Sequence, residues 1–235
     1  MWQNKSVSVV FPAYNEEENI GAAIEDFFET GVVDELIVVD NNSTDRTASI
    51  AKKQGAKVVK EKKQGYGFAL QAGMKAAKSQ LVILAEPDGT FVGKDILKLL
   101  LHSKNFDLVL GTRTNKKFIK KAANMGFFLR WGNILLAKFL QTLFQTPSIS
   151  DCGCTLRLIR RQILKKILPK FTVGGGHFLP EMIILANQNG AKIIEVPVNY
   201  RPRIGTSKIT GNLAKAVKVG LAMFFLILKY RSKMK

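Results

Sequence analysis

A chain of 235 residues has room for one well-packed domain with at most a small terminal appendage. Its 46% hydrophobic and 23% charged residues exclude long disorder and a polytopic membrane protein. Lys and Arg number 36 against 18 Asp and Glu, a formal charge of +18, which turns the surface toward polyanions: nucleic acid, nucleotide phosphates or an anionic lipid leaflet.

Val7 to Phe11 is β-branched or aromatic apart from Ser8 and stops at Pro12, as a buried parallel strand does. Asn15 is expected to cap a helix opening with Glu16, Glu17 and Glu18 at the positive end of its dipole, with Ile20, Ala23, Ile24 and Phe27 at helical spacing. Leu36 to Val39 reads as a second strand reaching Asp40, Ser43 or Thr44 as the start of a helix, and Ala56 to Val59 as a third strand. Gly65-Tyr66-Gly67 leads into a helical stretch from Phe68 to Lys78. Leu81 to Ala85 then gives a fully apolar strand running into Glu86-Pro87-Asp88. Asp95 to His102 reads as helix and Leu108 to Leu110 as a strand ending at Gly111-Thr112-Arg113.

This alternation predicts an α/β, Rossmann-like fold with a mostly parallel central sheet flanked by helices. Its ligand crevice lies beyond the carboxyl ends of the strands, where Tyr14, Asp40, Asp88 and Arg113 fall. After Lys116, Lys117, Lys120 and Lys121 comes Met125 to Phe144, rich in Phe and Leu with Trp131, an interfacial-helix pattern. Glu181 to Asn187 reads as helix, Lys192 to Val196 as strand and Leu213 to Tyr230 as a C-terminal helix. The expected division is a body over residues 1–210 and a basic amphipathic helix over 211–235. Cys152 and Cys154, one residue apart, are poorly placed for a mutual disulfide and lack further ligands at zinc spacing, so they read as packing residues in a reducing compartment. The N-terminus shows no secretory signal pattern.

Glu86 and Asp88 are two carboxylates one residue apart after a buried strand. Mg²⁺ or Mn²⁺ suits such a pair when a nucleotide diphosphate completes the shell, though the same triplet also describes a solvated Asp-Gly turn. Asp40 sits at a strand end where acids meet a base or ribose, and the residues after it also fit a helix cap. Lys62-Lys63-Gln64-Gly65-Tyr66-Gly67 offers close backbone approach and cations for phosphate, without the spacing of the nucleoside-triphosphate loop or the dinucleotide fingerprint. His177, after three glycines, reads as solvated.

Taken together, Pro12-Ala13-Tyr14-Asn15-Glu16, Asp40 to Thr47, Glu86-Pro87-Asp88-Gly89 and Arg203-Ile204-Gly205-Thr206-Ser207-Lys208, in this order, resemble a family 2 glycosyltransferase of the GT-A fold. Within that family the likeness is to the dolichyl-phosphate mannose synthase and polyprenyl-phosphate glycosyltransferase branch, from about Ser6 to about Tyr230. The resemblance implies that Pro12, Ala13, Tyr14 and Glu16 line a nucleotide pocket, that Asp40 and Asn41 meet its base side, and that Gln64, Gly65 and Gly67 border the donor. Glu86 and Asp88 would hold the metal, with Glu86 where the family more often has Asp and Asn41 where a second Asp is frequent. Arg113, Arg157 and Glu181 match blocks bordering sugar and acceptor, and Arg203, Ser207 and Lys208 would clamp the donor diphosphate.

The implied reaction moves mannose or glucose from GDP-mannose or UDP-glucose to a polyprenyl phosphate with inversion, at the cytoplasmic face of a membrane. A lipid phosphate is already anionic and needs no strong base. Transfer to a glycan or glycolipid hydroxyl would need one, from Glu181 or Asp151. Val219 to Leu228 is apolar and too short to span a bilayer, and Lys215, Lys218, Lys229 and Arg231 flank it; with Met125 to Phe144 it fits docking on an anionic leaflet, and both helices also fit as completion of the core. Nucleic-acid binding rests on charge alone and is not expected.

Overall fold

The computed structural model describes residues 1–114, 127–204 and 213–234. Strands β1 (Val7–Ala13), β2 (Glu35–Asp40), β3 (Lys57–Lys60), β4 (Leu81–Leu84), β5 (Leu108–Thr112), β6 (Arg157–Arg160) and β7 (Ile193–Pro197) form one sheet in the order β3-β2-β1-β4-β6-β5-β7. Every pairing is parallel except those of β6, which runs antiparallel to both β4 and β5. The helices are α1 (Ile20–Phe28), α2 (Thr47–Lys53), α3 (Tyr66–Ala76), α4 (Asp95–His102), α5 (Phe127–Phe144), α6 (Arg161–Ile167), α7 (Phe178–Gln188) and α8 (Leu213–Ser232).

The unbroken apolar strands have a simple cause, since side chains alternate across the sheet and both faces are covered. Val10, Ile37, Val39, Val82 and Leu84 point into a core shared with α3, α5, α6, α7 and α8. Their neighbours Val9, Phe11, Leu36, Val38 and Ile83 point into the core beneath α1, α2 and α4. There Phe11 meets Phe27 edge to face, with centroids 4.9 Å apart. On the other face α3 lies so close to the sheet that a Cβ on Gly73 would come within 2.2 Å of Val10 Cγ1.

Several local expectations are corrected. Asn15 caps no helix: it adopts a left-handed φ of 54°, and its Oδ1 accepts the Thr44 N–H at 2.9 Å, joining the loops after β1 and β2. Helix α1 starts only at Ile20, so Glu16, Glu17 and Glu18 precede its first turn. Helix α2 starts at Thr47, whose N–H is taken by Asp45 Oδ1 at 3.0 Å, rather than at Ser43 or Thr44. Helices α3 and α7 begin before the predicted Phe68 and Glu181. Strand β6 and helix α6 have no counterpart in the sequence reading.

Met223, Leu226, Ile227 and Tyr230 of α8 are buried in the same core as the sheet, so one face of this helix completes the body. Its other face leaves Val217, Leu221, Phe225 and Leu228 exposed, at spacings of four, four and three. No helix among the described residues is long and apolar enough to cross a membrane.

Candidate active site

A cavity of about 610 Å³ opens beyond the carboxyl ends of β1, β4 and β5. Pro12, Ala13, Tyr14 and Glu16 reach it from β1, Glu86 and Asp88 from β4, and Arg113 from β5. Because β6 runs the other way, the loop that enters it arrives at this same rim and brings Gly153 and Thr155. The antiparallel strand thus adds a polar wall that a purely parallel sheet would not supply.

Glu86 Oε1 accepts from Tyr66 Oη at 3.0 Å and from Thr155 Oγ1 at 2.8 Å, and the two hydroxyls also touch each other. Burial, followed by the charge of Asp88, pushes the Glu86 carboxyl up to about 7. Asp88 is 1% exposed; its Oδ1 accepts the Thr90 N–H and hydroxyl, and its Oδ2 lies 2.9 Å from Arg203 Nη1. Two buried carboxylates one residue apart at the rim fit a divalent cation, whose charge would offset their burial and mutual repulsion. Among the described residues no group of three or more His, Cys, Asp or Glu gathers to hold a metal. Mg²⁺ and Mn²⁺ take few protein carboxylates and complete their shell with water and substrate phosphate, so Glu86 and Asp88 are the residues that would hold one.

Arg113 forms a two-pronged pair with Asp151, Nε to Oδ2 at 2.9 Å and Nη2 to Oδ1 at 3.0 Å, and lies 5.3 Å from the Tyr200 ring centre. Burial alone would raise the Asp151 carboxyl, but Arg113 and backbone donors hold it below its ordinary range. Its oxygens are filled by Arg113 and the Gly153 N–H, and it is fully buried, so it is not presented to an acceptor hydroxyl.

Asn41 lines the cavity and explains why an amide stands there. Its Nδ2 donates to the carbonyls of Glu61 and Lys63, both at 2.8 Å, while its Oδ1 accepts the Gly65 N–H at 2.8 Å. A carboxylate can do only the accepting. Gln64 reaches the cavity from the same loop. Asp40 turns back to accept the Ser43 N–H at 2.9 Å and is not among the described residues lining the cavity.

Gly65 and Gly67 act through backbone packing. The Gly67 N–H donates to Gly174 O at 2.7 Å, and a Cβ at position 67 would lie 2.9 Å from Gly174 C and from Phe178 Cβ. Gly67→Ala must therefore push the start of α3 away from the Gly174 loop and the start of α7, and is expected to cost about 1–3 kcal/mol, read as a lower denaturant midpoint at unchanged slope.

Arg157 and Glu181, expected beside sugar and acceptor, lie elsewhere. Both are 0% exposed, and neither is among the described residues lining the cavity. Arg157 donates to the carbonyls of Cys152, Cys154 and Leu179, fixing the loop before β6 against α7. Glu181 accepts from the Thr172 and Val173 N–H groups, the Thr172 hydroxyl and Tyr230 Oη. Arg203 is at the site, whereas Ser207 and Lys208 lie outside the described residues. Tyr66 and Thr155 lie within the stretches 64–67 and 151–157, expected to border donor and acceptor, whereas Thr90 and Tyr200 are site residues that the sequence did not mark and that follow no pattern.

The cavity also has an apolar lining: Leu129, Leu135 and Leu136 come from α5 and Val219, Met223 and Phe224 from α8, with Gly132, Asn133 and Gly220 among them. Phe139 stacks on Phe224 with centroids 4.9 Å apart, bracing the two helices.

A family model described as glycosyl transferase family 2 matches residues 8–168. A dolichyl-phosphate hexose transferase of Haloferax volcanii is 34% identical over 205 residues, 86% of each chain. An uncharacterized glycosyltransferase of Mycobacterium tuberculosis is also 34% identical, over 90% of this chain and 93% of its own. Among solved structures, glucosyl-3-phosphoglycerate synthase from Mycobacterium tuberculosis, in complex with Mn²⁺, UDP and glucosyl-3-phosphoglycerate, superposes with a TM-score of 0.72 at 20% identity. The match covers 97% of this chain and 80% of that one and identifies the sheet and its helices as a GT-A fold. With the family model matched over more than half of its length and relatives above 30% identity along most of it, the chain belongs to glycosyl transferase family 2.

Proposed function

We propose that this glycosyltransferase moves mannose or glucose from a nucleoside diphosphate sugar to a polyprenyl phosphate at an anionic membrane surface. The observation that carries this reading is the two-sided cavity. Glu86, Asp88, Arg113 and Arg203 line it as its charged side, and side chains of α5 and α8 add its apolar side. A diphosphate suits the first and an isoprenoid chain the second. The Haloferax volcanii relative, by its name, acts on dolichyl phosphate, which supports the acceptor.

Mg²⁺ or Mn²⁺, held by Glu86 and Asp88, would supply charge neutralisation for the departing nucleoside diphosphate. Pro12, Ala13, Tyr14 and Glu16 bound the donor, and Asn41 shapes its pocket through the loop from Glu61 to Gly65. Arg113, kept charged and immobile by Asp151, offers a fixed positive group to a phosphate in the cavity. The acceptor phosphate is its own nucleophile and attacks the anomeric carbon opposite the leaving group, so configuration inverts and positioning does most of the work. Ser207 and Lys208, by their place in the motif, would close on the diphosphate.

The membrane face is read from the exposed stripe of α8 together with exposed Trp131 and Leu135 on α5, beside Lys215, Lys218, Lys229 and Arg231. Incubation with GDP-mannose or UDP-glucose and polyprenyl phosphate, with Mg²⁺ or Mn²⁺ and with chelator, is expected to give a glycosylated lipid only when metal is present. Product on a glycan hydroxyl alone, or product indifferent to chelator, overturns the acceptor or the metal. Co-flotation with anionic vesicles at moderate salt tests the membrane face, and complete failure to float overturns it.

A further inference from the structure

Asp88 already has a cation on it, supplied by the protein. Arg203 Nη1 lies 2.9 Å from Asp88 Oδ2 and Nη2 lies 2.7 Å from Glu16 Oε1, so one guanidinium spans the loops that follow β4 and β1. Its Nε is buried with no hydrogen-bond partner among the described residues, so the fork is only partly satisfied there. The surrounding segment is pinned to the same acid loop: Arg201 N–H donates to Thr90 O at 2.9 Å and Ile204 N–H to Asp88 O at 3.0 Å. Asn19 Nδ2 donates both to Ile204 O at 3.2 Å and to Glu16 Oε2 at 3.0 Å, holding the far side of the bridge. Since Thr90 fills Asp88 Oδ1, both carboxylate oxygens are engaged.

A hard divalent cation needs direct contact with an anionic oxygen at about 2.0–2.2 Å. A cation on Oδ2 would sit beside the Arg203 guanidinium that already donates to that oxygen, and two positive charges a few ångströms apart in a buried site repel each other. We propose that Arg203 and the divalent cation compete for Asp88, and that a nucleoside diphosphate resolves the competition by giving the Arg203 fork a diphosphate to hold. Arginine is suited to this exchange because its planar fork binds carboxylate and diphosphate oxygens with the same geometry. Metal and donor are then coupled ligands, each tightening the other, and Arg203 is a positioning residue for both. The inference rests on the donor-and-metal reading given above.

The test measures binding rather than turnover. Free Mn²⁺ is titrated by electron paramagnetic resonance against the whole chain, alone and with saturating UDP or GDP, for the native protein, Arg203→Met, Arg203→Lys and Asp88→Asn. Without nucleotide, Arg203→Met is expected to bind Mn²⁺ about tenfold more tightly than the native chain, the scale of one charged hydrogen bond. With nucleotide the gain in Mn²⁺ affinity should shrink by about the same factor in Arg203→Met, and Arg203→Lys should fall between the two. Equal Mn²⁺ affinity in Arg203→Met and the native chain without nucleotide, or an undiminished nucleotide effect, overturns the competition. If Asp88→Asn still loses Mn²⁺ in that case, the metal assignment survives. Absence of Mn²⁺ uptake by the native chain even with nucleotide overturns both. Arg203→Lys keeps a cation in the loop, so the comparison holds if removal of all charge from position 203 disturbs folding.

Discussion

Asp88→Asn should lower the transfer rate by about 10²- to 10³-fold while leaving the fold intact. The side chain is 1% exposed, and its Oδ1 makes the Thr90 turn that shapes the loop after β4. An amide oxygen keeps that turn. What Asn removes is the negative charge available to a cation and to Arg203 Nη1. It also removes the charge that crowds Glu86, whose carboxyl burial and Asp88 together hold at about 7. Relief of Glu86 and loss of the Arg203 pair act in opposite senses, so the metal-free variant is expected to unfold within a few degrees of the native midpoint, while kcat/KM collapses with whichever donor and acceptor give product. A midpoint that falls in step with the rate would mean that Asp88 serves structure alone.

Glu181→Ala should act in the opposite sense, destabilising the protein through a carboxylate buried away from the cavity lining. Four donors converge on this carboxylate from the 172–173 loop and from Tyr230 of α8. Burial, and then the Glu181 carboxylate, pushes the Tyr230 hydroxyl up to about 12, so it stays a donor at every working pH. Alanine leaves the Tyr230 hydroxyl and the half-buried Val173 N–H without their acceptor, while the exposed Thr172 can turn to solvent, at a cost of about 3 kcal/mol. For a chain of this size that is a fall of roughly 6–12 °C in Tm. Glu181→Gln keeps an acceptor oxygen in nearly the same place and should lose less stability while retaining transfer. Loss of transfer in the stable Gln variant would instead make Glu181 a base and favour a hydroxyl acceptor.

The contrast between these two acids shows how much of the site was legible beforehand. Asp88 is readable because a buried apolar strand ends just before it, and strand ends in such sheets face the crevice. Arg113 is readable for the same reason after β5. Arg157 and Glu181 carry the same side-chain chemistry, yet Arg157 opens an antiparallel strand and Glu181 sits inside α7, and no local pattern marks either as turned into the core. Tyr66 and Thr155, which hold Glu86, are 89 residues apart and meet only because β6 inserts beside β4.

By itself the sequence determined the alternation of strand and helix, the parallel core built from β-branched runs, and the acids at strand ends, because each depends on side-chain periodicity within a few residues. Only the tertiary structure decided the reversal of β6, the burial of Arg157 and Glu181, the bridge from Arg203 to Asp88 and Glu16, and the apolar lining that α5 and α8 bring to the cavity. Those features depend on pairings between distant segments, and in them the energy of burying and satisfying polar groups outweighs local preference.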